Sequence, residues 1–202
     1  MENQINNKKR QVILSTAKEL FWKYGFKRVS IEEICKAANV SKMTFYKFFP
    51  NKLELAKTVF DGVIDKGLED FKSFMAEEIT PSERIKKMLL MKQKGTNDIS
   101  REFLQDFYNN PELGLKTYIE EKTKSAWDEI LNGYKIAQED GWFRKDIKPE
   151  LLFSLSQKLS EILIDENLLK LYRNPQELIM EIVKLLSYGF VQNDKINIEP
   201  VA

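Results

Sequence analysis

The 202-residue chain contains no histidine and a single cysteine, Cys35. Without histidine it lacks the commonest general base, the commonest metal ligand and the Ser–His and Cys–His nucleophile pairs, which leaves hydrolase and zinc chemistry little to work with. One cysteine permits no intramolecular disulfide, and its place in an apolar helical pattern marks a buried thiol suited to a reducing compartment. Long apolar runs are missing as well. No stretch approaches the roughly 18 uncharged apolar residues that cross a bilayer, and the first ten residues have no apolar segment of the signal-peptide kind. These absences predict a cytoplasmic protein with no membrane partner, no metal, no cofactor and no catalytic residues. Scattered carboxylates such as Asp106, Glu120 and Glu121 have no nucleophile or base to join them.

Charge is nearly balanced overall, 32 Lys/Arg against 31 Asp/Glu, but it is unevenly placed. Residues 1–60 carry twelve Lys/Arg and five Asp/Glu, net +7, whereas residues 61–202 carry 20 and 26, net −6. A basic head on an acidic body points to a polyanion partner for the head alone, or to a lysine-rich solvated face.

Caps, glycines and prolines divide the chain into about nine helices, and no alternating β-branched run argues for a sheet, so an all-α fold is predicted. The first helix, about Ile5 to Tyr24, aligns Ile13, Ala17, Leu20, Phe21 and Tyr24, and Gly25 stands where a left-handed residue closes it. Ser30 with Glu33 forms a capping box for a helix over Ile31–Ala38, and Ser41 caps another over Lys42–Phe48. Pro50 stops that helix, and Asn51 with Glu54 caps a long one. Thr80–Pro81–Glu83 and Asn174–Pro175–Glu177 mark two further starts. The remaining helices are predicted over Pro81–Lys94, Ile99–Tyr108, Glu112–Glu139, Pro149–Leu171 and Pro175–Val191, with a frayed tail from Asn193.

Ile31 to Phe49 has the make-up of a helix-turn-helix: a short helix, a tight turn, and a second helix able to lie in a major groove. Asn39 suits a positive φ in the turn, while small Cys35 and Ala38 permit close approach of the two helices. Ile31, Ile34, Val40, Phe45 and Phe49 can close a core against the first helix. Lys42, Met43, Thr44, Tyr46 and Lys47 then remain outside, offering ammonium, hydroxyl and methyl groups to double-stranded DNA. Lys8, Lys9 and Arg10 form either a DNA-binding arm or a solubilising tail.

The run from Ser30 to Ile34, and that from Val40 through Thr44–Phe45–Tyr46, Phe49, Lys52 and Leu55, resemble the DNA-binding domain of the TetR family of transcriptional regulators. The resemblance covers about residues 10–60. It implies a DNA-binding domain over residues 1–51 and an effector-binding and dimerisation domain over 52–202. It also implies that Tyr46 and Lys52 hold phosphates, that Thr44 touches backbone or a base edge, and that Ser30 presents a helix N-terminus to a phosphate. Each has a plainer alternative in capping, packing or solvation. Asn39, Cys35 and Met43 depart from the family's usual Gly, Ala and small residue.

In the body, Met88, Met91, Phe103, Phe107, Tyr108, Trp127, Tyr134 and Met180 are either core or the lining of an effector pocket. The last two long helices carry an apolar band that includes Leu155, Leu159, Ile162, Leu178, Ile182, Leu186 and Phe190. It is wider than one partner helix needs, so a second copy of the chain covers it, or the chain buries it internally. The expectation is a repressor released from a palindromic operator by a small molecule. The alternative is an effector-blind DNA-binding or scaffold protein of the same fold whose body binds another protein.

Overall fold

The structure, a computed structural model, describes residues 2–110 and 113–190, and among them are ten α-helices. Helix α1 spans Glu2–Tyr24, α2 Ile31–Ala37, α3 Lys42–Phe48, α4 Lys52–Ala76 and α5 Pro81–Gly95. They are followed by α6 Arg101–Tyr108, α7 Leu115–Glu139, α8 Pro149–Leu163, α9 Glu166–Leu169 and α10 Pro175–Phe190. The predicted tail from Asn193 lies outside the described residues.

Local chemistry accounts for most of the boundaries. Gly25 takes φ +80°, and its N–H closes α1 on the Phe21 carbonyl at 2.9 Å. Ser30 and Glu33 form the expected capping box, as do Thr80 and Glu83, and the Ser41 and Ser100 hydroxyls accept from the third N–H of their helices. Asn39 sits at φ 52°, the left-handed turn residue the sequence called for. One predicted helix is divided. Residues 149–171 do not run through, because the Asp165 carboxylate accepts from Asn167 N–H at 2.8 Å and Leu168 N–H at 3.0 Å and so caps a new turn, α9. This break makes ten helices where about nine were expected.

Two compact units emerge: Met1–Asp65 with Asp98–Lys122, and Lys66–Asn97 with Thr123–Ala202. The first is larger than the head expected over residues 1–51, because the start of α4, all of α6 and the start of α7 pack into it. Its centre is aromatic. Trp22, Phe60, Phe103 and Phe107 are buried, with Trp22–Phe103 and Phe103–Phe107 ring centroids 4.4 Å apart and Phe60–Phe107 4.5 Å apart. Ile13, Ala17, Phe21, Ile34, Cys35, Phe45 and Phe49 bury the apolar faces of α1, α2 and α3 against one another. Burial raises the pKa of the Cys35 thiol, so this cysteine is a packing residue.

In the second unit Phe74, Ile85, Ala137, Trp142 and Phe143 form a cluster against which Met75, Met88, Leu89, Tyr134 and Tyr188 pack. Buried Arg84 lies over the Trp142 ring at 4.5 Å and donates to the Phe74 carbonyl at 2.7 Å and to the Glu77 carbonyl. A cation from α5 thereby satisfies carbonyls that the end of α4 leaves without helical partners.

The turn after α1 supplies a test. A Cβ on Gly25 would stand 2.7 Å from the Asp106 carboxylate oxygen and would also force an L-residue into the left-handed region. Gly25→Ala should therefore lower stability by more than about 1 kcal/mol, read by thermal or urea unfolding. Unchanged stability would contradict the observed turn.

Candidate nucleic-acid interface

Helix α3 turns Phe45 inward, fully buried, with Phe49 just beyond its end, and turns Lys42, Met43, Tyr46 and Lys47 to solvent. Its polar groups are not equally available. The Thr44 hydroxyl lies 3.0 Å from the Ser41 hydroxyl that caps the helix, and Thr44 is half-buried. The Lys42 ammonium reaches across to Glu32 on α2. Hydrogen bonding to Lys42 holds the Glu32 carboxyl below its ordinary range, and the same bond raises Lys42. The Ser30 hydroxyl accepts the Glu33 N–H at 3.1 Å and donates to the Glu33 carboxylate at 2.8 Å, so it closes a capping box instead of facing outward. Tyr46 is about half exposed, its ring edge-on to Phe45 with centroids 5.4 Å apart, and the Lys47 side chain is exposed at the end of the helix.

Lys52, which the resemblance assigns to a phosphate, directs its ammonium into its own unit. Its ammonium donates to the carbonyls of Phe26 and Val29 at 2.8 Å and of Lys27 at 3.3 Å, and it lies 4.4 Å above the Phe26 ring. All three of its protons thus face the α1–α2 connection. Burial pushes this ammonium below the ordinary lysine range, opposed by the charges of Asp106 and Glu33. Asp106, a buried carboxylate on α6, accepts the Lys27 backbone N–H at 2.7 Å. A cation on α4 and an anion on α6 therefore hold the same six-residue connection. Asp106, which the sequence reading set aside as a scattered carboxylate, is a positioning residue of this unit. The available signal was an acid within the apolar stripe of Phe103, Leu104 and Phe107, a position that needs a buried partner.

The structure separates the eight residues proposed to line an effector pocket. Phe103 and Phe107 are core of the first unit, at 4 % and 0 % exposure, because the aromatic cluster needs them; Tyr108, half-buried, is in the same unit. Met88 and Tyr134 pack on the core of the second unit, and burial pushes the Tyr134 phenol up to about 12. Trp127 sets its ring edge-on to Phe153, 5.3 Å between centroids, and Met91 is half-buried. Met180 joins Gln93, Arg173, Asn174, Gln176 and Glu177 around an open, largely polar depression of about 420 Å³.

Of the residues expected at a dimer interface, Leu178 is corrected to core, 2 % exposed, since α10 uses that face against α5 and α8. Leu155, Leu159, Ile182 and Leu186 are half-buried and Ile162 is 38 % exposed. The Phe190 side chain lies outside the described residues. Two exposed leucines extend the band: Leu151 on α8, 49 %, and Leu185 on α10, 75 %.

A short helix and an outward-facing second helix, joined by a left-handed turn and backed by α1, make the chain a helix-turn-helix DNA-binding regulator. Comparison with known proteins agrees. Residues 13–59 match the family described as bacterial regulatory proteins, tetR family. The chain is 29% identical over 147 residues to the uncharacterized HTH-type transcriptional regulator YhgD of Bacillus subtilis, covering 70% of this chain and 73% of that one. Its fold is shared with the fatty acid degradation regulator FadR from Bacillus halodurans, at a TM-score of 0.66 and 20% identity over 90% of this chain and 95% of that chain. A transcriptional regulator from Saccharomonospora viridis in complex with choline has the same fold, at a TM-score of 0.65 and 14% identity over 93% of this chain and 100% of that one. The match to the tetR family thus falls on the DNA-binding segment, and over a wider stretch the chain is similar to HTH-type transcriptional regulators.

The two lysines should behave differently on mutation. Lys52→Met removes three charge-assisted hydrogen bonds and should cost about 1–3 kcal/mol of stability. It should weaken operator and random duplexes together while leaving the slope of log affinity against log salt within about 0.3 of wild type, well short of the roughly 1.8 lost with one phosphate contact in each subunit of a dimer. Lys47→Ala should leave stability unchanged, because the side chain is exposed. It should cost about 1–3 kcal/mol per half-site on the operator and relax preference at one base pair. A full phosphate's loss of slope in Lys52→Met would return that lysine to the DNA.

Proposed function

We propose that the chain is a cytoplasmic, non-enzymatic repressor that binds a palindromic operator as a homodimer and leaves it when a small molecule occupies the body. In this reading residues 1–51 hold the DNA and residues 52–202 carry the effector and the dimer contact. The observation that carries it is the pairing, in one chain, of a recognition helix exposed on one side with an apolar stripe far from it in sequence. On α8 the stripe is Leu151, Leu155, Leu159 and Ile162, spaced i, i+4, i+8 and i+11, and on α10 it is Ile182, Leu185 and Leu186. Exposed and half-buried apolar residues at helical spacing on two packed helices fit burial against the same two helices of a second copy, and a two-fold dimer matches a two-fold operator.

Release by an effector is supported more indirectly. A solved regulator of the same fold is in complex with choline, which supports a small-molecule ligand for this body. A ligand shifts the equilibrium only if it binds the released form more tightly than the DNA-bound form.

Leu185→Glu tests the dimer. Because Leu185 is 75 % exposed, charge there should leave the fold intact while converting the sedimenting species to a monomer and lowering operator affinity at least tenfold. A folded, fully active dimer would overturn the interface. The effector is tested by thermal shift over a metabolite library: a true effector present at 100 times its Kd raises stability by about 2.7 kcal/mol and must also weaken operator binding. If no compound does both, the body is not a small-molecule sensor.

A further inference from the structure

We infer that Met43 reads the methyl group of a thymine, one in each half-site of the operator. The inference rests on α3 being the groove helix. Met43 is 82 % exposed, the most exposed of the large apolar residues described, and it lies in the first turn of α3, whose N-terminal residues face base edges when such a helix enters the major groove. Its neighbours are otherwise engaged, Lys42 with Glu32 and Thr44 with the capping Ser41. The side chain best placed to enter the groove from that turn is therefore one with no hydrogen-bonding group. Among the groups on the base edges of the major groove, the thymine C5-methyl is the apolar one, so an unbranched, polarisable thioether has one partner there.

Position on the helix narrows the site further. Lys47 lies four residues after Met43, on the same face and about 6 Å further along the axis, which corresponds to about two base pairs at 3.4 Å each. A thymine read by Met43 should therefore stand within about two base pairs of the base pair whose preference Lys47 sets. Specificity at that position comes from burying one methyl group, which is worth about fourfold per half-site and roughly fifteenfold for a symmetric operator.

The experiment selects a binding site from random duplexes with the full chain, then replaces each thymine pair by deoxyuridine, which removes only the C5-methyl. Wild type should lose about fifteenfold at one symmetric pair. Met43→Ala should bind the thymine site that much more weakly and be indifferent to uracil there, while Met43→Leu should regain most of the discrimination. An unchanged melting temperature in both variants confirms that the fold is intact, as the exposure of Met43 requires. Equal binding of thymine and uracil duplexes by wild type, or uracil sensitivity that persists in Met43→Ala, overturns the assignment while leaving α3 in the groove. A selection that yields no site overturns the groove assignment and this inference with it.

Discussion

The geometry of the DNA-binding unit depends on how one ammonium group is satisfied. Lys52 stands at the first position of α4 and directs its charge into the connection between α1 and α2, where three carbonyls accept it at 2.8–3.3 Å. That connection has no helical ladder of its own, and Phe26 and Val29 are buried within it, so its carbonyls need donors from elsewhere. From the other side Asp106 takes the Lys27 N–H, and Gly25 leaves the room that this approach needs. Helix α2 begins one residue after the held segment, α3 follows by a four-residue turn, and the direction of the groove-facing side chains is inherited from this anchorage.

The arrangement also changes what the basic charge of residues 1–60 means. Several of these cations serve packing within the unit. Lys52 faces inward, Lys42 is paired with Glu32, Arg10 lies over Phe49, and Arg28 lies 4.5 Å above the Tyr24 ring. Such contacts cover aromatic surface with aliphatic stems and guanidinium planes, and each is worth on the order of 0.5–1 kcal/mol at an exposed site. In the proposed reading, discrimination rests on the exposed groups of α3, namely Met43, Tyr46 and Lys47.

Much of this was legible in the sequence because it is written in local chemistry. The capping boxes at Ser30 and Thr80, the left-handed residues Gly25 and Asn39, and the bounds of α3 each follow from residues a few positions apart. Tertiary choices were less accessible. The family pattern marks Lys52 but does not say whether its long stem points to DNA or back to its own chain. Phe103 and Phe107 look the same as pocket lining or as core until Trp22 and Phe60 are seen against them. Leu178 belongs to the same apolar band as Leu185, and only the packing of α10 on α5 and α8 separates the buried position from the exposed one. The break before α9 was missed because the apolar spacing continues across it while Asp165 caps a new turn.

The claim that Lys52 holds the head together without touching DNA is tested most directly by reductive methylation of lysines, followed residue by residue with mass spectrometry, in the free protein and on its operator. Lys52 should react slowly in both states, while Lys47 should react readily in the free protein and be protected in the complex. A Lys52 that reacts readily when free and becomes protected on DNA would contradict the claim.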